Sequence, residues 1–160
     1  MFQRMKASYR LFPLVKKGSP ISDPCQVPQH SGTPGWIYLT HTEDGEAKVY
    51  FTDTKGDKPE YLSIVMDERV CCDTIFRVVR IAPKIYIVYD LFVLNGTKVH
   101  ETLTFSQRQE KIAEILELFH FPDLVALVTI SDAPVGTHIR GYEQYDNVPG
   151  TIGVYLPVVE

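Results

Sequence analysis

Asp90 is the residue whose position in the sequence most clearly suggests chemistry. It lies in the run 84–94, KIYIVYDLFVL, in which most other side chains are aliphatic or aromatic. A carboxylate buried in such a strand is unstable unless a cation or a hydrogen-bond donor faces it. Two interpretations remain open: a structural pair with an arginine or with backbone amides, or a site carboxylate beside Tyr86 or Tyr89.

The segment 138–146, HIRGYEQYD, is a second candidate because it combines aromatic side chains with charges of both signs. Loops that expose Tyr, Arg and His often bind a ligand. Arg140 could hold a phosphate or a carboxylate through two parallel N–H donors. An ordinary solvated loop is the alternative interpretation.

Common catalytic and metal-binding motifs are missing from the sequence. It contains neither a G-x-x-x-x-G-K nor a G-x-G-x-x-G phosphate loop, and no G-x-S-x-G nucleophile turn. The five histidines lack H-x-x-x-H and H-E-x-x-H spacing, and Cys25, Cys71 and Cys72 form no C-x-x-C pair. We therefore assign no catalytic residue and expect no metal ligands.

The sequence patterns between residues 36 and 94 indicate antiparallel strands. Asp44-Gly45 lies between two strand-like runs, 36–41 and 47–52, and predicts a hairpin turn. The run 84–94 is apolar on both faces, which predicts a central strand covered on both sides. Residues 74–81 indicate another strand, whereas 61–66 fit either a short strand or a helical turn.

One helix is predicted at about 105–119. Thr104 with Gln107, or Ser106 with Gln109, offers a capping box, and apolar residues then recur at helical spacing until Pro122. Further strands are predicted at 124–130, 137–140 and 151–156. Because strands outnumber helices and do not alternate with them, the pattern favours an α+β fold with a mostly antiparallel β-sheet core.

The N-terminal residues 1–35 are rich in proline, with five between residues 13 and 34. Proline fixes φ and removes a backbone donor, so we expect an irregular arm here rather than a helix or a central strand. The arm either lies across the domain surface or is a loose extension. Residues 36–160 are expected to form a single α+β domain.

The composition is that of an ordinary globular domain of 160 residues, 44% of them hydrophobic. The net charge of −4 means that the overall field does not attract polyanions, so contact with nucleic acid would need a local basic patch. No apolar run reaches the ~20 residues of a membrane span, and the N-terminus lacks the pattern of a signal peptide. We expect a soluble cytoplasmic protein with no membrane partner.

Residues 86–119 resemble a segment of the covalent nucleotidyltransferases, the superfamily of DNA and RNA ligases and mRNA capping guanylyltransferases. In that family a strand with an aromatic residue and an Asp leads through an Asn-Gly-type turn to a helix that opens with F-x-x-R. The chain has Asn95-Gly96 and then Phe105-Ser106-Gln107-Arg108 at the corresponding places. Upstream, residues 36–45 resemble the strand that enters the family's K-x-D-G motif. The resemblance implies a ligase- or capping-enzyme-like half domain.

The sequence departs from the family at the residues that carry its chemistry. Aligned on Asp44-Gly45, the position of the nucleophilic lysine is occupied by Thr42, whose hydroxyl cannot form a phosphoramidate. The acidic motif III is not legible in 74–80, and E-G-x-V is not clear in 149–154. The resemblance thus implies a shortened, non-catalytic relative that binds a nucleotide or an RNA 5′ end, with no cofactor other than Mg²⁺ that accompanies a nucleotide. The nucleotide-binding residues it implies, together with the loop arginine, are Thr42, Asp44, Tyr86, Tyr89, Asp90 and Arg140.

Two alternatives remain open at the level of the sequence. One is an active nucleotidyltransferase of the RNA ligase or capping type that uses a displaced lysine, Lys48 or Lys84, as its nucleophile. The other is a protein–protein interaction domain that has kept only the fold and meets its partner through the N-terminal arm.

Overall fold

The computed structural model describes residues 15–41, 45–54, 59–64, 73–119 and 125–158. These residues form two β-sheets, one α-helix and two single turns of 3-10 helix, at Val99–Glu101 and Ile130–Asp132. The strands and the helix are β1 (Val15–Lys17), β2 (Cys25–His30), β3 (Thr33–His41), β4 (Ala47–Asp53), β5 (Glu60–Leu62), β6 (Thr74–Ala82), β7 (Ile85–Val93), α1 (Phe105–Leu116), β8 (Ala126–Thr129), β9 (Ile139–Tyr145) and β10 (Gly153–Pro157).

The larger sheet has six strands in the order β5-β4-β3-β6-β7-β8. The predicted hairpin pairing is present: β3 and β4 pair antiparallel, and the pair nearest the turn is His41 opposite Ala47. β7 is buried along almost its whole length, as its two apolar faces predict. β8 pairs parallel with β7, whereas the other described pairs of this sheet are antiparallel. α1 lies between β7 and β8 in the sequence and returns the chain to the end of the sheet at which β7 begins.

α1 covers one face of the six-stranded sheet. Its N-terminus carries the predicted capping box, in which Thr104 accepts from the backbone N–H of Gln107 and the Gln107 side chain accepts from the backbone N–H of Thr104. The helix ends at Leu116, three residues before the predicted 119. Its buried Ile112 and Ile115 pack with apolar side chains of the sheet into the main core.

The assignment to the α+β class is wrong. Of the described residues, 52% lie in strands and only 15% in helices, and the six-stranded sheet is curled. The excess of strand comes from both ends of the chain, where β1, β2, β9 and β10 form a second sheet of four strands in the order β1-β10-β9-β2. Most of these strands lie in segments that proline and turn residues mark as irregular.

Within the expected irregular arm over 1–35, residues 15–17, 25–30 and 33–35 lie in β1, β2 and β3. Residues 18–24 form no helix or strand, and residues 1–14 lie outside the described part. Pro28 is accommodated because β2 is an edge strand, where a missing N–H need not break a ladder. Pro34 lies in β3 but before the pairing with β4 begins at Gly35, so β6 is its one neighbouring strand. The boundary expected after residue 35 therefore falls inside a strand.

The C-terminal strands are displaced from their predicted positions. β9 occupies Ile139–Tyr145 and so includes much of the segment interpreted as a loop, and β10 begins at Gly153. The undecided segment 61–66 contributes to β5, although residues 65 and 66 lie outside the described part. Among the helices that the structure describes, none has the length and apolar character needed to cross a bilayer.

Candidate functional site

Asp90 finds its partner in Arg108 of α1. The Nε of Arg108 lies 2.6 Å from Oδ1 of Asp90 and its Nη2 lies 3.2 Å from Oδ2, and both side chains are almost fully buried. The backbone N–H of Leu91 also donates to Oδ1, while Nη1 of Arg108 donates to the carbonyl of Leu103. Both carboxylate oxygens are thus engaged within the protein, which favours the structural interpretation of Asp90.

Tyr86 and Tyr89 belong to different clusters of the core. Tyr86 is 1% exposed and packs against Phe51 with ring centroids 5.2 Å apart. Tyr89 is fully buried, and its hydroxyl bonds both the backbone N–H and the ring Nδ1 of His30. Burial raises the pKa of both phenols, so they stay neutral. Neither ring offers an open face on which a nucleobase could stack.

Of the remaining predicted residues, the structure describes only Arg140, and Arg140 does not join these tyrosines. Thr42 and Asp44 lie outside the described residues, between the ends of β3 and β4. Arg140 is exposed on β9 of the four-stranded sheet, where its guanidinium lies over the ring of Tyr155 at 5.2 Å. The structure therefore brings Tyr86, Tyr89 and Asp90 onto one strand and places Arg140 on the other sheet.

A buried polar cluster joins the two sheets at Glu143 of β9. Its carboxylate accepts from both terminal nitrogens of Arg77 on β6, from the hydroxyl of Tyr145, and from Nε2 of Gln29 on β2. Burial alone would raise the pKa of Glu143, but the charge of Arg77 and these three donors outweigh it and hold the pKa below its ordinary value. We call these four residues the Glu143 cluster.

Three tyrosines stand side by side across one end of the six-stranded sheet. Tyr38 of β3 is directly opposite Tyr50 of β4, and Tyr50 is directly opposite Tyr61 of β5. The first two rings stack at 5.3 Å with a 24° tilt, and the second and third meet edge to face at 6.1 Å. We call Tyr38, Tyr50 and Tyr61 the tyrosine ladder.

Exposure rises along the tyrosine ladder towards the sheet edge. Tyr38 is buried, Tyr50 is half-buried and Tyr61 is 56% exposed. Burial, with a smaller contribution from Tyr50, raises the pKa of Tyr38 to about 12. The Nζ of Lys48 lies 4.9 Å from the Tyr61 ring centroid and 3.4 Å from a carboxylate oxygen of the exposed Glu46. An exposed aromatic ring beside a cation suits a nucleobase and its phosphate.

The tyrosine ladder was not among the residues singled out from the sequence, although part of it was legible there. In a hairpin centred on Asp44, residues that are equally far before and after this position lie opposite each other. Tyr38 is therefore expected opposite Tyr50, as the structure shows. The third member could not be found in this way, because the segment around Tyr61 fits a strand and a helical turn equally well. The sequence indicates Lys48 as one candidate for a displaced nucleophile, without placing it beside an aromatic ring.

Metal binding has no support in the part of the chain that the structure describes, where no three His, Cys, Asp or Glu side chains come together as ligands. The two lysines considered as displaced nucleophiles lie apart: Lys48 is on β4 beside the tyrosine ladder, and Lys84 is in the turn between β6 and β7. Lys48 adjoins the exposed ring of Tyr61.

The sequence matches no known protein-family model, and a comparison with curated proteins gives no significant match.

Proposed function

We propose that this protein is a non-catalytic, nucleotidyltransferase-like module that binds a nucleotide or an RNA 5′ end on the tyrosine ladder. The observation that carries the proposal is the alignment of Tyr38, Tyr50 and Tyr61 across adjacent strands with Lys48 beside them. A base that stacks on an aromatic side chain gains about 1–3 kcal/mol whatever its identity. Lys48 then supplies the charge for one phosphate.

The ring contacts within the tyrosine ladder favour such a role. Tyr61 packs edge to face on Tyr50, which in turn stacks on the buried Tyr38, so the exposed ring is supported on one side before a ligand arrives. Binding to a preformed ring avoids most of the cost of ordering the site. Tyr38 and Tyr50 of the ladder also lie on β3 and β4, the two strands that the segment with Thr42 and Asp44 connects in the sequence; these are positions implied by the family resemblance.

The residues that could carry covalent chemistry favour binding without catalysis. Thr42 stands where the family's lysine would be, and a hydroxyl does not replace that amine. Among the described residues, the carboxylates of Asp90 and Glu143 are fully buried. Each is bound to an arginine and is therefore a poor candidate for a general base or for holding Mg²⁺ with a nucleotide.

The test is a thermal-shift titration of the full chain with ATP, GTP, a methylated cap analogue and a short 5′-phosphorylated RNA, each with and without Mg²⁺. A ligand that binds only the folded state raises the midpoint, and above its Kd the shift grows with the logarithm of its concentration. Tyr61→Leu should weaken the binding about tenfold, as the loss of one stacked base predicts. Tyr142→Leu is the matched control, since Tyr142 is 38% exposed on the other sheet. No shift with any ligand would overturn the proposal.

Lys48→Met tests the phosphate contact separately from stacking. For the RNA ligand we expect weaker binding and a salt dependence whose log–log slope is smaller by about 0.7, the value for one contact to a single strand. An unchanged slope would show that Lys48 does not contact a phosphate. The stacking proposal would then depend on the result for Tyr61→Leu.

The active enzyme with a displaced lysine is the second candidate, favoured by the position of Lys48 at the tyrosine ladder. Intact-mass measurement after incubation with ATP or GTP and Mg²⁺ separates the two functions. We expect no change in mass. A gain of one nucleotide monophosphate that Lys48→Met abolishes would establish the enzyme and contradict the non-catalytic part of the proposal.

A further inference from the structure

A groove of about 510 Å³ opens on the side of the molecule where α1 meets both sheets. It is lined by Val27 and Pro28 of β2, by Gln109 and Ala113 of α1, and by residues 129–132. Its volume lies in the range of specific binding sites, which is about 300–1,000 Å³. None of these residues belongs to the tyrosine ladder.

The groove forms because β8 is shorter than the strand it pairs with. The pairing of β7 with β8 ends at Val88 opposite Thr129, and the chain then turns away through Ile130–Asp132. β7 continues beyond that point, and the amide of Gln109 donates to the carbonyl of Tyr89 at 2.7 Å. The side chain of Gln109 thus satisfies a carbonyl of β7 beyond the point where the pairing with β8 ends.

Edge strands border the groove on two sides. β2 is the last strand of the four-stranded sheet and β8 is the last strand of the six-stranded sheet. In β8 the backbone N–H of Ala126 points towards β7, where it donates to the carbonyl of Lys84. Because backbone groups alternate along a strand, those of Leu127 and Thr129 point away from the sheet. Such an edge can accept an added extended segment.

The charge around the groove is negative. Asp132 lies in its wall and uses one carboxylate oxygen to accept from the hydroxyl of Thr129. Glu110 and Glu117 are exposed three residues before and four residues after Ala113, so they flank the same stripe of the helix. Within the described residues no cation is paired with these three carboxylates, and Lys111 of α1 is paired with Glu114.

We infer that the groove binds an extended peptide segment in which apolar and basic side chains alternate. The apolar side chains would pack on Val27, Pro28 and Ile130, and the basic ones would face Asp132 and the helix carboxylates. Alternation follows from the strand geometry of the occupant, whose successive side chains point to opposite sides. The inference is independent of nucleotide binding, because it concerns a different surface and a different chemistry.

The experiment measures fluorescence anisotropy of a fluorescein-labelled octapeptide of alternating Val and Lys, titrated with the full chain, and of the Val-Glu peptide for comparison. We expect saturable binding of the basic peptide only. Ala113→Trp, which fills the groove without changing charge, and Asp132→Lys should each weaken it about tenfold, or about 1.4 kcal/mol.

Glu46→Lys is the charge-matched control, because Glu46 is exposed beside the β3–β4 hairpin, away from the groove. It should alter binding by less than about twofold at 0.15 M salt, where distant charges are screened. Equal weakening by Glu46→Lys and Asp132→Lys would show attraction to the net charge and overturn the inference. Normal peptide binding by Ala113→Trp would also overturn the inference. A concentration-dependent dimer of the native chain that Ala113→Trp abolishes would overturn it as well, because the groove would then bind a second copy of the chain.

Discussion

The pair of Asp90 and Arg108 illustrates at the scale of single residues how a buried charge constrains a fold. Both side chains are inside the core, so removing either one leaves the other charged and without its counter-ion. Replacing both by apolar groups removes the two desolvation costs together. The pair therefore serves mainly to fix α1 against β7 in one position.

A double-mutant cycle tests this role. Arg108→Met should lower the free energy of unfolding by about 3–5 kcal/mol, and Asp90→Leu with Arg108→Met should cost clearly less than the sum of the single changes. Urea unfolding at pH 7 gives the values. Lys111→Met, which breaks the exposed pair with Glu114, is the control and should cost under about 0.5 kcal/mol. Additive single effects would contradict the interpretation.

His30 makes stability depend on pH. Burial lowers the pKa of His30, and the charge of nearby Glu143 only partly opposes this; the ring is bonded to the hydroxyl of Tyr89. Because the pKa in the folded state lies below the unfolded value of about 6.5, the unfolded state binds the proton first. The contribution of His30 is complete above that pH and is lost as the pH falls towards the folded pKa.

The measurement is the free energy of unfolding in urea between pH 7.5 and 5. His30→Gln should flatten the decline that the native chain shows below about pH 6.5. Part of the decline should remain, since burial also lowers the pKa of His100, assisted by the charge of Arg108. His138→Gln removes an exposed histidine for comparison. The explanation fails if this surface change flattens the curve as much as His30→Gln does.

At the scale of elements, the pairing of β3 with β4 depends on a close approach at Gly35. A Cβ at this position would lie 2.2 Å from the carbonyl oxygen of Thr52 and 2.8 Å from the ring of Phe51. The oxygen belongs to the strand backbone and cannot move without disturbing the register that aligns the tyrosine ladder.

Gly35→Ala should therefore destabilise the protein by more than about 2 kcal/mol, a cost typical of overpacking and strain at a strand interface. Thermal or urea unfolding provides the value. Gly18→Ala is the matched control, because its new Cβ would meet only side-chain atoms of Val154, the nearest at 3.3 Å. Similar costs for the two substitutions would show that glycine flexibility, rather than the contact with Thr52, governs the effect.

The elements that the sequence predicted correctly are those specified by nearby residues. The Asp44-Gly45 hairpin, the doubly apolar β7 and the capping box at Thr104 each depend on a few consecutive positions. β2 could not be predicted in this way, because its partner β9 is distant in the sequence and Pro28 indicates an irregular segment. The same holds for the candidate site. The sequence predicted that the buried Asp90 needs a partner, but the other side chains around Asp90 are brought there by tertiary packing and could not be predicted.

The whole molecule is held together where the two sheets meet. The Glu143 cluster and the bond between His30 and Tyr89 connect β2 and β9 of one sheet with β6 and β7 of the other. Phe105 at the start of α1 stacks on Tyr145 with ring centroids 4.0 Å apart, which adds the helix to this contact. One buried atom of the cluster, Oε1 of Gln29, has no hydrogen-bond partner.

A chain restricted to residues 36–160, the domain expected from the sequence, should not fold cooperatively. It would lack β1 and β2, so that Glu143 would lose Gln29 and Tyr89 would lose His30. Each buried polar group left without its partner costs about 1–3 kcal/mol, in addition to the lost strand pairing. Near-UV circular dichroism and binding of a hydrophobic dye report the outcome. A native-like spectrum with a sharp unfolding transition would show that the shorter unit is self-sufficient.

The strand order of the smaller sheet also has a consequence for biosynthesis. β2 pairs with β9 and β1 pairs with β10, whereas every strand of the larger sheet comes from residues 33–129. On the ribosome, β1 and β2 emerge first and must wait for β9 and β10, while the larger sheet can already assemble. Arg77 and Tyr89 remain uncovered during that interval. Translation that stalls before β9 would therefore release a half-closed nascent chain, of the kind that chaperones retain and proteases remove.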